Sequence, residues 1–185
     1  KKTVPVVSST ARTDDQESLM RSLIIKGAQN KGPSFLYAFQ NGSCGFVGLS
    51  PEVLIEIDDK AIRTMALAGT SPESNLENFL LDQKEEIEHQ IVVDSLRRRL
   101  GKYGKLSESE RKTHNLGGIV HFLTDIHIKL NQKVSITEVL KQIHPTPAVG
   151  TVPSNSGNFS QLKSFRESSS TPEMFAAPFG VKLNQ

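Results

Sequence analysis

Residues 50–93 read SPEVLIEIDDKAIRTMALAGTSPESNLENFLLDQKEEIEHQIVV, and within this stretch a strand pattern gives way to a helix pattern. Two apolar segments, residues 53–57 and 61–67, flank a pair of aspartates, which predicts a hairpin. From residue 71 to about Leu100 the apolar side chains recur on one broad helical arc, which predicts a long helix. The stretch therefore predicts antiparallel strands that lead directly into a helix.

The residues on the N-terminal side extend this pattern. The valine-rich segment 3–8 predicts a strand, and Asp14 or Asp15 can cap a following helix whose apolar side chains lie at helical spacing. Residues 34–40 and 44–49 flank an Asn-Gly pair, which is the strongest short hairpin signal in the sequence. Four strands joined in succession by tight turns predict an antiparallel meander.

The C-terminal side adds one strong strand and two helices. Residues 101–115 are polar and predict a loop with a helical turn, whereas residues 120–130 alternate between apolar and polar side chains, as in a strand with two different faces. Ser135 and Glu138 have the spacing of a capping box and predict the start of a helix. A short helix is also predicted at residues 159–165. The predicted fold class is α+β, with antiparallel sheets flanked by helices.

The composition excludes several classes of protein. With 185 residues, of which 36% are hydrophobic, the chain can form an ordinary core, and its net charge of +2 gives no reason to expect binding to nucleic acid or an anionic membrane. No apolar run approaches the roughly 20 residues that span a bilayer. The single cysteine, Cys44, excludes an internal disulfide and is expected to be buried in a strand. We predict a cytoplasmic protein. Because the sequence begins at Lys1 and ends abruptly at Gln185, we expect it to be part of a longer chain.

Four motifs, in this order, resemble those of the chorismate-utilising enzymes, the family of isochorismate, salicylate, anthranilate and aminodeoxychorismate synthases. They are SPE at 50–52, MALAGT at 65–70, KEEIEH at 84–89 and HPTPAVG at 144–150. The resemblance implies an anthranilate synthase component I-like fold and makes residues 1–185 a partial chorismate-binding domain. The family's C-terminal segment, which carries a second Mg²⁺ glutamate and the basic groups that bind the substrate carboxylates, is expected to be absent.

Details of the motifs resemble one branch of this family more than the others. Aminodeoxychorismate synthases often have a lysine at the position of Ala68, and anthranilate synthases usually have Arg-Pro where Ser71-Pro72 follows here. The Leu-Ala-Gly-Thr string is similar to the isochorismate and salicylate branch. The resemblance therefore implies Mg²⁺-dependent conversion of chorismate to isochorismate, in menaquinone or siderophore biosynthesis.

The implied reaction requires three kinds of group. Water adds to one ring carbon of chorismate while a hydroxyl leaves another, which needs a base, an acid and a cation for the substrate carboxylate. A lysine acts as a base only when desolvation lowers its pKa from about 10.4, and a glutamate acts as an acid near neutral pH only when burial raises its pKa. The resemblance implies Lys2 as base, Glu52 as acid and Glu88 as a ligand of Mg²⁺. The implied substrate-binding residues are Ala68, Gly69, Thr70 and His121.

The sequence also allows simpler interpretations of these residues. Glu52 has the sequence context of a solvated turn residue, and Glu88 could be an exposed helix residue paired with Lys84. Lys2 aligns with the family's lysine less well than the other two residues align with their counterparts, since Val7 stands where the family has an arginine.

Alternatives also remain for the site and for the function. His121, Asp125 and His127 share one face of a predicted strand and could bind zinc instead. The chain could belong to a salicylate synthase, or to an anthranilate-type synthase that uses ammonia and an amidotransferase partner. It could also be a truncated homologue that binds chorismate or a protein without catalysis.

Overall fold

The computed structural model describes residues 2–4, 6, 8–42, 44–172 and 174–183 of the chain. In chain order its elements are β1 (Lys2–Thr3), α1 (Gln16–Ala28), β2 (Phe35–Asn41), β3 (Cys44–Ser50), β4 (Glu56–Ile57), β5 (Ala61–Pro72), α2 (Leu76–Leu80), α3 (Gln83–Leu100), β6 (Gly104–Glu108), β7 (Lys112–Asn115), β8 (Ile119–Leu130), α4 (Ile136–Ile143), β9 (Thr151–Val152) and α5 (Ser156–Ser168). Single 3₁₀ turns at Glu73–Asn75 and Gly101–Tyr103 precede α2 and β6. The elements form two compact units, Lys1–Ser8 with Val53–Pro178, and Ser9–Glu52 with Phe179–Gln185.

The larger unit is organised around a five-stranded antiparallel sheet. Its strand order is β4-β5-β8-β6, and β7 also pairs with β8 beyond the end of β6. The two central strands pair along their whole length, from Ala61 opposite Lys129 to Pro72 opposite Ile119. The α+β class with antiparallel sheets and flanking helices, predicted from the sequence, is therefore confirmed.

Helix α3 covers the central strands and forms the main core with them. The helix begins at Asp82, whose carboxylate accepts hydrogen bonds from the backbone N–H groups of Lys84 (2.8 Å) and Glu85 (3.2 Å). Each large aliphatic side chain buried in this core contributes roughly 1.5–3 kcal/mol to stability. The buried members of the core include Ile62, Ala66, Val92, Leu96, Leu100, Ile126, Ile128, Val139 and Ile143.

The smaller unit contains the hairpin of β2 and β3, which turns at Asn41 and Gly42 as predicted, together with α1. Asp15 caps α1, because its carboxylate accepts a 2.8 Å hydrogen bond from the N–H of Ser18. Cys44, expected to be buried, is exposed on β3.

The predicted four-strand meander is wrong. Strands β2 and β3 pair with each other as a separate two-stranded sheet, whereas β4 and β5 belong to the five-stranded sheet. The reason is visible in the burial of β5, since eight of its twelve residues are buried and these lie on both faces of the strand. A strand buried on both faces needs a partner along its whole length, and β8 supplies it.

Two predictions between residues 71 and 115 also require correction. The first two residues of the predicted long helix, Ser71 and Pro72, form the end of β5, and the helical region is divided at Leu81 and Asp82. The segment predicted as a loop, 101–115, instead supplies the edge strands β6 and β7, whose polar side chains reflect their exposed positions.

Other local predictions fare unevenly. The strand predicted at 3–8 is limited to β1, and Pro5 and Val7 of that prediction lie outside the described residues. Within the described part of the chain, Ser135 makes no side-chain capping bond at α4, and Glu138 instead accepts a 3.1 Å hydrogen bond from the Tyr103 hydroxyl. The short helix near residues 159–165 is confirmed as α5. None of the helices among the described residues has the length and apolar character that a membrane span requires.

Candidate functional site

A bulge in β5 at Gly69 lies at the centre of the candidate site, within the larger unit. Ala68 pairs with Phe122, and Thr70 pairs with His121, the neighbour of Phe122 in β8. Gly69 is therefore the extra residue of the bulge. Its φ is +75°, and a Cβ at this position would lie 2.9 Å from the carbonyl oxygen of Glu85. The bulge therefore needs glycine both for its backbone conformation and for the close approach of α3.

The carboxylate of Glu85 supports this bulge from α3. Its Oε2 accepts a 2.8 Å hydrogen bond from the backbone N–H of Thr70, and the residue is largely buried. The other carboxylate oxygen contacts the ammonium group of Lys84. A buried carboxylate is tolerated when its oxygens have such partners, so Glu85 fixes the backbone of Thr70 against the helix.

His121 binds the other side of the bulge. Its Nδ1 lies 2.9 Å from Thr70 Oγ1 and 3.1 Å from the carbonyl oxygen of Gly69. Because a carbonyl oxygen only accepts, the contact with Gly69 is a hydrogen bond when the proton is on Nδ1. Burial lowers the pKa of His121, although the bond to Gly69 acts in the opposite direction. His121 is thus held at the bulge mainly as a neutral imidazole at neutral pH.

The predicted base and the predicted metal ligand form an ion pair. The Lys2 ammonium lies 3.0 Å from Oε1 of Glu88, and the two side chains are 9% and 30% exposed. Strand β1 carries Lys2 and pairs with β9, with Lys2 opposite Val152 and Thr3 opposite Thr151. The position of Lys2 therefore depends on a strand that is more than 140 residues distant in the sequence.

The Lys84 ammonium lies close to two carboxylates of α3, those of Glu85 and Glu88. The Lys84 ammonium contacts the Glu85 carboxylate and lies 3.6 Å from Oε2 of Glu88. The Lys84 side chain is 74% exposed, so it can leave this position without disturbing the core. Mg²⁺ prefers carboxylate oxygens and commonly binds one or two of them from the protein. Glu88 and Glu85 are therefore the residues whose donor chemistry could suit a Mg²⁺ ion.

Two predicted residues, Ala68 and Glu52, remain to be described. The side chain of Ala68 is buried in the main core, where it contributes packing. Glu52 is half-buried at the end of the smaller unit, and its backbone N–H donates a 3.3 Å hydrogen bond to Ser50 Oγ. The structure thus connects Lys2 and Glu88 to Gly69, Thr70 and His121 through Glu85 and Lys84.

The zinc interpretation of β8 is wrong. From His121 to His127 the strand spans about 20 Å, so the two imidazoles cannot bind one ion. Asp125 pairs instead with the Lys112 ammonium at 2.7 Å. Within the described ranges, no three His, Cys, Asp or Glu side chains are grouped so that they could hold a metal.

His89 ties α3 to β8 beneath the site. It is only 1% exposed, its Nε2 lies 2.9 Å from Thr124 Oγ1, and its ring packs edge-on against Phe122 at 5.9 Å between centroids. Burial, reinforced by the positive charge of Arg111, lowers the pKa of His89 to about 4. His89 is therefore a neutral core histidine rather than a residue available to a substrate.

Sequence reasoning missed Glu85 as a site residue, although a signal was present. Glu85 lies four residues before His89 and seven before Val92, and all three are buried on one face of α3. A carboxylate on a buried helical face indicates a specific partner. The pairing of β1 with β9, which places Lys2, has no such signal, because each strand has two residues.

The fold and site together define an antiparallel α+β domain with a carboxylate-rich helix beside a sheet bulge. A family model described as chorismate binding enzyme matches residues 6–183. This chain belongs to that family. Lys2 lies outside the matched residues, so its place in the site rests on the ion pair with Glu88.

One relative of this chain is an isochorismate synthase. The chain is 34% identical over 128 residues to the salicylate biosynthesis isochorismate synthase of Pseudomonas aeruginosa, an alignment that covers 64% of this chain and 27% of that protein. The chain thus spans about a quarter of the length of that relative.

Two solved structures share the fold. The menaquinone-specific isochorismate synthase from Escherichia coli matches with a TM-score of 0.58 at 22% identity, over 91% of this chain and 49% of the other. Anthranilate synthase component I from Streptococcus pneumoniae matches with a TM-score of 0.61 at 23% identity, over 84% of this chain and 35% of the other. At these identities the likeness concerns the fold alone.

Proposed function

We propose that this chain contributes the active site of an isochorismate synthase-like enzyme, which converts chorismate to isochorismate with Mg²⁺. The observation that carries the proposal is the ion pair between Lys2 and Glu88, joined through Lys84 and Glu85 to the bulge at Gly69. It places an amine, two carboxylates and a backbone turn in one connected site. The amine is the proposed base, and the two carboxylates are the proposed ligands of the cation that the reaction requires.

The roles of the residues follow from the balance of the reaction. Lys2 accepts a proton from the attacking water, whose oxygen forms the new bond to a ring carbon. Glu52 donates a proton to the hydroxyl that leaves another ring carbon, so the product is an isomer of the substrate. The role of Glu52 rests on the Ser-Pro-Glu motif.

Glu88 and Glu85 are the residues that would hold Mg²⁺. When bound, the ion supplies a cation for the substrate carboxylate. Thr70 and His121 are proposed to contact the substrate beside the bulge.

Two kinds of alternative remain: another chorismate enzyme, of the anthranilate or salicylate type, and a non-catalytic homologue. The chain is also 27% identical over 146 residues to an anthranilate synthase component 1, so ammonia as nucleophile, with an amidotransferase partner, is the first alternative. A salicylate synthase would add pyruvate elimination to the same fold. The second is a non-catalytic homologue that binds chorismate or a protein partner. A cytoplasmic location remains a prediction from the sequence.

The test is to incubate the purified protein with chorismate and Mg²⁺, with and without ammonia, and to identify products by chromatography and mass. Isochorismate alone supports the proposal. An amino product, or salicylate with pyruvate, moves the chain to another branch. No product, together with no Mg²⁺-dependent rise in thermal stability, favours the non-catalytic alternative, since a ligand that binds the native state must stabilise it.

Variants assign the roles once a product is known. We expect Glu52→Gln to lower turnover about a hundredfold or more, the usual contribution of an acid–base group. Glu88→Gln should also lower turnover, because it removes a proposed ligand of Mg²⁺. Glu56→Gln, an exposed glutamate on β4, is the matched control and should leave turnover unchanged. Unchanged turnover in Glu52→Gln would remove the acid assignment.

A further inference from the structure

Arg99 makes an unusual set of contacts at the C-terminal end of α3. Its Nη1 donates to the carbonyl oxygens of Ile143 (2.8 Å), Pro145 (3.0 Å) and Gln142 (3.3 Å). These carbonyls lie at the end of α4, where helical backbone groups lack intrahelical partners and a cation is favourable. The guanidinium is half-buried, and burial together with the charge of Arg98 lowers the pKa of Arg99.

The same guanidinium reaches the far side of the loop that follows α4. Its Nη2 donates a 3.0 Å hydrogen bond to Ser154 Oγ, and the Ser154 hydroxyl donates at 3.1 Å to the carbonyl oxygen of Thr151. Arg99 therefore bridges the two ends of the segment 145–154. The planar fork of arginine suits this task, because it presents several donors in fixed directions.

The bridged segment contains β9, and β9 holds the strand that carries Lys2. Thr151 pairs with Thr3, and Val152 pairs with Lys2 itself. Helix α3 thus constrains Lys2 twice, directly through Glu88 and indirectly through Arg99, which lies about 16 Å further along the helix.

We propose that Arg99 is a positioning residue for Lys2: by holding both ends of the segment 145–154, it fixes β9 and thereby keeps the Lys2 ammonium on Glu88. The inference deepens the proposed function, on which the catalytic meaning of Lys2 rests. Whether Arg99 positions Lys2 can, however, be measured without turnover.

The experiment measures how fast an amine-specific reagent labels Lys2, with fragment ions used to separate it from Lys1 in the mass spectrum. In the unsubstituted protein Lys2 is 9% exposed and should be labelled slowly, whereas Lys84 and Lys133, at 74% and 76%, serve as internal standards. Arg99→Lys keeps the charge but removes the fork, and Ser154→Ala removes the far end of the bridge. We expect each to raise the labelling rate of Lys2 about tenfold, the factor that corresponds to one charge-assisted hydrogen bond.

Arg98→Lys is the matched control, because Arg98 is the exposed neighbour on the same helix. Thermal unfolding of each variant shows that it is folded, and Ser154→Ala preserves the test if Arg99→Lys does not fold. Faster labelling of Lys2 in the folded Arg99 and Ser154 variants, with Arg98→Lys unchanged, supports the inference. Unchanged labelling in folded Ser154→Ala, or an equal rise in Arg98→Lys, overturns it.

Turnover distinguishes this inference from the proposed function. In an active protein, Arg99→Lys should lower kcat more than it raises KM and should alter the pH dependence of kcat. If Arg99 only stabilises the fold, the substitution should leave both kcat and its pH dependence unchanged at temperatures well below unfolding. If no chorismate product forms, the proposed function fails, and the labelling result still decides whether Arg99 positions Lys2.

Discussion

The Glu85 carboxylate and the backbone N–H of Thr70 are 15 residues apart in the sequence and 2.8 Å apart in the structure. This bond joins α3 to the bulge of β5, at the point where Gly69 allows the two backbones to approach closely. The helix that carries Glu88 and the bulge that carries Thr70 are therefore coupled through one buried side chain.

Removal of that carboxylate should destabilise the fold. We expect Glu85→Ala to lower the free energy of unfolding by about 1.5–3 kcal/mol, the range for a hydrogen bond to a charged group. Glu86→Ala on the same turn is the control, since its pair with Arg111 is more exposed and such pairs contribute at most about 1 kcal/mol. Urea unfolding measures both. Equal losses in the two variants would contradict a special role for Glu85.

Glycine at the bulge can be tested with a matched pair. Gly69 and Gly117 have nearly the same φ, +75° and +77°, but a Cβ at 69 would meet the Glu85 carbonyl oxygen, whereas a Cβ at 117 has open space around it. Alanine at either position incurs the left-handed backbone penalty of about 1–2 kcal/mol. We expect Gly69→Ala to be less stable than Gly117→Ala by a further 1 kcal/mol or so, from displacement of the helix. A smaller loss of stability in Gly69→Ala than in Gly117→Ala, measured by thermal unfolding, would contradict this prediction. It would mean that α3 moves away from the new Cβ without a cost in free energy.

His89 should make stability fall as the pH falls. Its pKa is lowered to about 4 in the folded state, against about 6.5 when unfolded, so between these values the unfolded chain binds more protons. His89 therefore has little effect on the free energy of unfolding above pH 6.5. Between pH 6.5 and pH 4 it lowers the free energy of unfolding progressively, by about 3 kcal/mol in total.

The measurement is the free energy of unfolding between pH 7.5 and 4 for the unsubstituted protein and for His89→Gln. The glutamine can replace the bond to Thr124, so the difference between the two curves isolates the imidazole. His127→Gln, at an exposed position on β8, controls for the loss of an ordinary histidine. Parallel curves for the His89 variant and the unsubstituted protein would contradict the assignment.

Lys84 should compete with a divalent cation. Because its ammonium lies between the carboxylates of Glu85 and Glu88, Lys84→Met should strengthen Mg²⁺ binding several-fold, the scale of an exposed ion pair. Glu88→Gln should weaken it. Isothermal titration calorimetry measures both without substrate, and Lys133→Met, which removes an exposed ion pair to Asp59, is the control. Unchanged Mg²⁺ affinity in both Lys84 and Glu88 variants would place the metal elsewhere.

The sequence by itself determined the elements with strong local patterns. Alternation along residues 120–130 predicts β8, Asn-Gly predicts the turn between β2 and β3, and Asp15 begins α1. These signals depend on side chains a few residues apart, which is the range over which backbone conformation is chosen. The motifs at residues 65–70 and 84–89 also consist of neighbouring residues, and the resemblance that they carry was enough to indicate the family.

Tertiary structure alone decided how those elements combine. Nothing local separates β3 from β4 into different sheets, and the polar strands β6 and β7 form only because β8 offers backbone partners. The position of Lys2 is the extreme case, since two residues of β1 pair with two residues of β9 and the ammonium then reaches Glu88. Contacts between distant residues depend on the packing of the whole unit, and no short stretch of sequence contains that information.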